Sequence, residues 1–403
     1  MKRKVKKRKL KRSIKLIILI ILVLCVCGVF FSKNNFSFFK KEKKEVNEEV
    51  KKEKPKVPKE YDASVFMVGD ALIHSAVYED ARKSDGSYDF KPMLAAIKPI
   101  SSKYDIVYYN QETVLGGKEL GLSNYPMFNS PQEVGDAFID AGFNTVSLAT
   151  NHTMDKGERG VLASVDYWKK QKNVAWSGQW SSEEERTESV SKVYEVNNIK
   201  YAFISYTIWN NGLPTPYGKS YLNNEYSPEK AKADIESVRD KVDFVIVAMH
   251  WGTEYSFKTD YKQDEIAAYL SNLGVDLIIG AHPHVVQTVE YINDNKTFVI
   301  YSLGNFISDQ NDVDNFTGLA MEVTLHKKVN IDDSVEKSVI NPKAQLVYTT
   351  TVKRGGVNHQ FKVVPYPQLS DSQLYNKNAN YEKYKNIVKE CYPELVWGLS
   401  GEA

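Results

Sequence analysis

The sequence predicts a layered α/β domain, and three observations lead to that prediction. Short apolar runs rich in β-branched and aromatic residues recur between residues 61 and 310, polar residues or glycine follow each run, and several intervals between the runs have helical patterns. Nearly continuous apolar runs suit strands that are buried on both faces. Strands that alternate with helices on this scale are typical of an α/β fold.

The individual elements follow in chain order. The predicted strands are ASVFMVGD, YDIVYYNQE, GFNTVSLATNH, IKYAFISYT, VDFVIVAMHWG, VDLIIGAHPH and TFVIYSLGNF. The predicted helices between them are Pro131–Ala141, Leu162–Gln171, Pro228–Lys241 and Asp264–Leu273. Pro131 and Pro228 suit the first turn of a helix. Residues 311–403 are predicted to form a β-rich extension that ends in a helix over Leu374–Lys389.

The first 60 residues have a different character. Residues 1–15 contain ten positive charges, and residues 16–31 are apolar apart from Gly28. With the flanking apolar residues this stretch is long enough to span a membrane, and the basic flank predicts a cytoplasmic N-terminus. No small-residue cleavage site follows, which favours an uncleaved signal anchor. Residues 32–60 are predicted to be a Lys/Glu-rich spacer, so the folded domain is expected outside the cell, on a single-pass anchor.

The charge distribution limits the range of partners. Residues 1–60 carry 20 basic and 6 acidic residues, a net charge of +14, although the whole chain has a net charge of only +2. The folded part is therefore acidic, and a broad nucleic-acid-binding face is not expected. Beyond the apolar segment the only cysteine is Cys391, so neither an internal disulfide nor a thiolate metal site is expected in the exported domain.

Five of the seven histidines lie at or just after predicted strand ends, together with carboxylate and amide side chains. The carboxyl ends of strands in an open α/β sheet form one rim, where ligands bind. These residues are His74, His152, His250, His282 and His284, with Asp70, Asn110, Glu112, Asn151, Asp155 and Glu254. Imidazole, carboxylate and amide groups bind divalent ions such as Zn, Mn or Fe, and this set is large enough for one or two ions. A metal-assisted displacement at phosphorus is chemistry that such a site supports.

Each of these residues taken alone has an ordinary structural explanation. Gly69–Asp70 is a common turn, Asn151–His152 could cap a strand, and a lone buried His250 is more often a hydrogen-bonded core residue than a ligand. Their joint occurrence at successive strand ends favours a metal site. No nucleophile elbow or phosphate-binding loop motif is present. A paired-carboxylate glycosidase stays open as an alternative, but it leaves the histidines unexplained.

The motifs MVGDALIH, NQE, LATNHTMDKGERG, AMHWGTEY, IGAHPHVVQ and YSLGNFI resemble, in this order, the CapA family of poly-γ-glutamate capsule biosynthesis, also called PgsA. The resemblance covers about residues 62–310. CapA-like domains are similar to calcineurin-like metallophosphoesterases, which implies an α/β/β/α sandwich. It also implies roles for individual residues: Asp70, Glu112, Asn151, His250, His282 and His284 as metal ligands, and His152 as the group that assists the leaving group, oriented by Asp155.

Two departures from the phosphoesterase pattern affect these roles. The first strand has Asp70-x-x-x-His74 where those enzymes have Asp-x-His, and the bridging aspartate is replaced by Glu112. His74 is then either a ligand from a different angle or a substrate contact, and Glu254 is expected to orient a ligand. Asn110 and Asn305 are kept as substrate-binding residues or residues without an assigned role.

Three functions are compatible with this sequence. The first is a membrane-anchored extracellular protein of polyglutamate synthesis or export, working with other synthase subunits and an anionic polymer. The second is a cell-surface metallophosphoesterase that acts on envelope phosphate esters. The third is a non-catalytic subunit that handles the polymer. The sequence leaves open which metal is bound and whether the site is catalytic.

Overall fold

Two β-sheets form the centre of the part of the chain that the structure, a computed structural model, describes: residues 57–402. In the first sheet the strand order is β14-β13-β12-β1-β2-β3-β4, with β11 paired to β1 and β15 paired to β13; the order in the second is β5-β6-β7-β8-β10-β9. The strands are β1 Lys59–Ala71, β2 Ile106–Gln111, β3 Thr145–Ser147, β4 Ala175–Ser177, β5 Tyr194–Val196, β6 Ile199–Thr207, β7 Phe244–His250, β8 Leu277–Ala281, β9 Val289–Ile292, β10 Thr297–Ile300, β11 Asn305–Ile307, β12 Thr317–Val329, β13 Val335–Arg354, β14 Val357–Pro365 and β15 Val396–Trp397.

Helices connect most of the parallel strands. The α-helices are α1 Ser75–Asp80, α2 Lys98–Ser101, α3 Glu133–Asp140, α4 Gly157–Trp168, α5 Glu183–Val190, α6 Pro228–Val238, α7 Tyr261–Asn272, α8 Val313–Phe316 and α9 Lys377–Val388. Short 3₁₀ helices lie at Lys91–Leu94, Lys118–Leu120, Ser220–Leu222, Arg239–Lys241, Tyr366–Gln368 and Ser400–Glu402. Pro228 occupies the first turn of α6, as expected, and the Ser227 side chain caps that helix.

The order of layers follows from the alternation of side chains along each strand. On β1, Val65 and Met67 face the second sheet and join a core between the two sheets. The intervening Phe66 and Val68 face the other way and pack with the helices outside the first sheet. A third core lies between the second sheet and its own outer helices. The predicted α/β class is confirmed, and the layers run helix, sheet, sheet, helix.

Residues 317–365 complete the first sheet. Strand β12 runs antiparallel to β1, from Lys59 paired with Val329 to Met67 paired with Met321, and β13 and β14 follow outward from β12. Helix α9 contributes Tyr384 and Val388 to the core between the sheets. The C-terminal strands are therefore structurally continuous with the region that carries the predicted site.

The predicted anchor at residues 16–31 and most of the spacer lie outside the described residues. Within residues 57–402, no helix has the length and apolar character needed to cross a membrane. The helix predicted at Leu162–Gln171 corresponds to α4, which begins earlier than predicted, at Gly157. Its first turn is polar, and the apolar periodicity used for the prediction begins only afterwards.

Candidate metal centre

The carboxyl ends of two groups of parallel strands meet at one edge of the sandwich. Strands β1, β2 and β3 are parallel in the first sheet, and β6, β7 and β8 are parallel in the second. Asp70 and Glu112 end or follow strands of the first group, and His250 and His282 those of the second. The two sheets thus bring residues from distant parts of the chain to one place.

Glu112 lies at the centre of this group. Both of its carboxylate oxygens are buried and have no hydrogen-bond partner among the described residues. Its Oε1 is 3.6 Å from Nε2 of His284 and 3.9 Å from Nε2 of His250. Ligands bound at about 2.0–2.2 Å to one ion lie roughly 3–3.5 Å apart, so these separations are close to those of donors that share a cation.

Histidines surround Glu112 on the side of the second sheet. One ligand atom each of Glu112, His282 and His284 lie within 4.8 Å of one another. Nδ1 of His282 is 3.1 Å from Nε2 of His250, and Oδ1 of Asn151 is 2.9 Å from the same nitrogen. One carboxylate, three imidazoles and one amide oxygen therefore converge.

The protonation states of these groups suit a cation. Burial, aided by the neighbouring histidines, lowers the pKa of His250 well below its ordinary value and that of His282 to about 3, so both rings are neutral and each has one unprotonated nitrogen. Burial raises the pKa of Glu112 well above its ordinary value. Burial opposes the charged form of His284 too, but Glu112 and Asp70 raise its pKa to about 9. A divalent ion would replace the proton that Glu112 and His284 otherwise hold, because metal ligands bind in their deprotonated forms.

Asp70 is buried and already engaged by protein groups. Its Oδ1 accepts a hydrogen bond from Nδ2 of Asn110 at 2.8 Å, and its Oδ2 accepts one from the backbone N–H of His282 at 3.3 Å. Oδ2 also lies 3.5 Å from Nδ1 of His284. The carboxylate of Asp70 thus fixes the residues that carry the donor atoms, and Asn110 is the partner that holds it.

The His-Pro-His segment after β8 is held in an uncommon conformation. His282 has φ 98° and His284 has φ 60°, values that cost side-chain-bearing residues about 1–3 kcal/mol each unless the surroundings impose them. The surroundings do so here: Nδ2 of Asn315 donates to the carbonyl of His284 at 3.1 Å, and Oδ1 of Asn305 lies 3.0 Å from Nδ1 of the same histidine. Asn305 therefore directs Nε2 of His284 toward Glu112.

His152 and Asp155 form a buried pair next to this cluster. Nδ1 of His152 lies 2.7 Å from Oδ2 of Asp155, and that oxygen also accepts a hydrogen bond from the backbone N–H of Phe128 at 2.6 Å. The Phe128 ring packs edge-on against His152, with centroids 4.7 Å apart. With Nδ1 bound to Asp155, Nε2 is the nitrogen of His152 that is left for a substrate.

A cleft of about 440 Å³ lies over the cluster and is lined by His152 and His284 among others. His74 and Glu254 also line it. The Nδ1 atom of His74 accepts a hydrogen bond from the backbone N–H of Asp309 at 3.1 Å, and burial lowers the pKa of this histidine to about 4. Neither residue belongs to the group formed by Glu112, His282 and His284, so both lie at the cleft and outside that group.

Several residues of this region were not singled out from the sequence. Nδ2 of Asn151 donates a hydrogen bond to Oδ1 of Asn211 at 3.3 Å. Phe128, Tyr125 and Tyr255 form aromatic walls of the cleft. Tyr255 belongs to the AMHWGTEY motif and could have been found there, whereas Asn211 and Tyr125 lie in loops that carry no pattern.

Comparison with known proteins identifies the region that carries the site. Residues 64–310 match the family model described as bacterial capsule synthesis protein PGA_cap. The PGA biosynthesis protein CapA of Bacillus subtilis (strain 168) is 27% identical over 274 residues, which cover 64% of this chain and 67% of that protein. The capsule biosynthesis protein CapA of Bacillus anthracis is 27% identical over 260 residues, which cover 61% of this chain and 60% of that protein.

Some solved structures are similar to this chain in fold, at low sequence identity. A phosphatase from Mycoplasma pneumoniae is 16% identical with a TM-score of 0.44, over 71% of this chain and 94% of that one. The NAD nucleotidase of Haemophilus influenzae is 15% identical with a TM-score of 0.41, over 85% of this chain and 65% of that one. At these TM-scores neither similarity assigns a role to a residue of this chain.

Proposed function

Because the chain belongs to the family of bacterial capsule synthesis proteins, we propose that it acts in the synthesis or export of a poly-γ-glutamate capsule. In this proposal it is a membrane-anchored extracellular protein with a metal-dependent, hydrolase-like site. The aligned regions span 67% and 60% of the two relatives, so the activity of the whole protein is part of the proposal.

The observation that carries the metal-dependent part is the orphaned carboxylate of Glu112. Glu112 is buried and accepts no hydrogen bond from the described residues, a cost that a bound cation would offset. The donors around it are Asn151, His250, His282 and His284. Carboxylate, imidazole and amide donors of this kind suit Zn, Mn or Fe, in one or two ions.

The chain's own residues suggest hydrolysis of a phosphate ester or a related bond. A divalent ion, when bound, supplies Lewis acidity to the reacting group. Asp155 holds His152 by Nδ1, so that Nε2 can donate a proton to a leaving group in the cleft when the ring is protonated. Phe128 packs against His152 and limits the positions that its ring can take.

The cellular part of the proposal rests on residues 1–60. The basic tail and the apolar segment at 16–31 favour a single-pass anchor with the N-terminus in the cytoplasm. The expected partners are other subunits of a polyglutamate synthase complex and the anionic polymer itself. Protease treatment of intact cells should remove the folded domain from the membrane fraction; a domain that is protected until the cells are lysed would contradict the extracellular orientation.

The central experiment is a chromosomal His152→Ala substitution in cells that make the polymer. We expect loss of surface polyglutamate at an unchanged level of the protein, while His359→Ala, a histidine on strand β14 outside the described site, leaves the polymer intact. Unchanged polymer in the His152→Ala strain would contradict a hydrolytic role in capsule formation. If the purified chain then hydrolyses phosphate esters, the surface metallophosphoesterase becomes the better function. If it holds metal without turnover, the non-catalytic subunit does.

A further inference from the structure

The cleft over the metal centre has a second end, formed by aromatic side chains and one carboxylate. Tyr125, Glu254 and Tyr255 line this end, while Phe128, His152 and His284 lie on the side of the metal centre. Tyr125 is 74% exposed and Tyr255 54% exposed, although both belong to the wall of a concave site. Exposed aromatic faces next to a reactive centre are available for a ligand.

The position of Tyr255 is imposed on it. Its backbone has φ 63°, which is costly for a residue of this size. Its backbone N–H donates to the carbonyl of Pro283 at 2.8 Å, and its hydroxyl accepts a hydrogen bond from Gln310 at 3.2 Å. Its ring lies 5.9 Å from that of His284, measured between centroids. Contacts to its backbone and to its hydroxyl therefore fix Tyr255 in the wall of the cleft.

The charges of this end have one sign. Glu254 is exposed and forms no hydrogen bond or ion pair with any residue of the described chain. No lysine or arginine occurs among the described residues that line the cleft. Anions such as phosphate or carboxylate are usually recognised by arginine or lysine, so this end of the cleft repels a second anionic group.

We propose that the Glu254–Tyr255–Tyr125 end of the cleft binds an amine, primary or quaternary, carried by the same substrate whose anionic group occupies the metal centre. Aromatic faces attract such cations through their quadrupole, and the carboxylate of Glu254 adds an opposite charge. The inference rests on the proposed function in taking the metal centre as the reacting end of the cleft. The expected substrate carries a negative reacting group with a positive group beside it. A segment from the middle of a polyanionic chain, which has no positive group, is disfavoured.

Calorimetric titration of the purified full-length chain with choline, and with its neutral isostere 3,3-dimethyl-1-butanol, tests the proposal. We expect choline to bind at least about tenfold more tightly, which is the range of a cation–π contact assisted by a carboxylate. Glu254→Gln and Tyr255→Asn should each weaken choline binding about tenfold. Asparagine tolerates the left-handed backbone of position 255, so the second variant removes the ring without adding strain.

The controls separate this proposal from that of the metal centre. Glu394→Gln, at an exposed glutamate outside the cleft, should bind choline as the wild type does. Both cleft variants should keep their metal content; loss of metal in either would mean a structural role and would overturn the proposal. Equal affinity for choline and the neutral isostere, or choline binding that ignores Glu254→Gln, would also overturn it. Choline binding by a chain that holds no metal would instead support the amine end and contradict the metal centre.

Discussion

Nε2 of His284 lies 3.6 Å from Oε1 of Glu112, a buried oxygen without a hydrogen-bond partner in the described chain. This distance is too long for a hydrogen bond. The spacing of this pair instead suits two donors to one cation.

Replacing Glu112 by Gln should abolish metal binding. The amide removes the negative charge that offsets the ion, so we expect metal content, measured by mass spectrometry, to fall from one or two ions per chain to background. A chelator should destabilise the wild type by about 3 kcal/mol, the stabilisation given by a ligand at about 100 times its Kd, and should leave the variant unchanged. Glu394→Gln is the matched control. Equal chelator sensitivity of wild type and Glu112→Gln would contradict the assignment.

Asp155→Asn should impair proton transfer more than folding. The carboxylate accepts hydrogen bonds from both His152 and the backbone of Phe128, and an amide cannot hold the same ring orientation. We expect turnover of a phosphodiester panel to fall about 10²-fold, within the range of general acid–base catalysis, with metal content unchanged. Glu158→Gln, which breaks a surface ion pair with Lys219, serves as the control. Full activity in Asp155→Asn would remove the dyad from the mechanism.

Gly280→Ala should destabilise the chain severely. A Cβ at this position would lie 1.9 Å from the carbonyl oxygen of Tyr301, and backbone atoms of the adjacent strand cannot move aside cheaply. We expect a loss of about 3 kcal/mol or more in urea unfolding, or insoluble protein. Gly86→Asn, in open space and with a backbone that asparagine tolerates, should be close to neutral. A small effect at Gly280 would mean that this strand packing is wrong.

Glu322 on β12 accepts hydrogen bonds from Ser400 near the C-terminus, and the stability that this contact contributes should depend on pH. Burial alone would raise the pKa of this carboxyl, but hydrogen bonds from Ser400 and Tyr104 and the ammonium of Lys343 lower it below the ordinary value of 4.5. A lowered folded-state pKa contributes stability above pH 4.5, and that stability is lost as the pH falls through the folded-state pKa. Glu322→Gln should therefore cost about 1.5–3 kcal/mol at pH 7 in urea unfolding, and progressively less toward pH 3. If the loss of unfolding free energy in Glu322→Gln were the same at every pH, the charge of Glu322 would contribute nothing to stability.

The position of the site could be predicted from the sequence because it depends on local features. Apolar runs that end in Asp70, Glu112, His250 or His282 identify strand ends, and parallel strands bring their carboxyl ends to one edge. The metal-site hypothesis needed no more than that rule and the chemistry of the side chains. The helix-sheet-sheet-helix order of layers was an implication of family resemblance, since periodicity alone does not tell which sheet a strand joins.

Other features depend on contacts between distant segments and carry no local signal. The left-handed backbone of His282 and His284 is imposed by partners such as Asn305 and Asn315. The link between Tyr255 and Pro283 is a backbone hydrogen bond, which side-chain identity does not reveal. His74 illustrates the same limit: its place after a strand left its role open between ligand and substrate contact, and its hydrogen bond with the backbone of Asp309 has no local signal.

The pairing of β1 with β12 has a consequence for the time course of folding. His326 and Asp62, neighbours across that pair, are 264 residues apart in the chain, and Tyr104 contacts Gly401 at the far end. Contacts of such large sequence separation slow folding, because a long loop must close before any of them forms. Until residues beyond 317 emerge, β1 has an unpaired edge that another copy could occupy. The first sheet can therefore be completed only after nearly the whole chain has been synthesised.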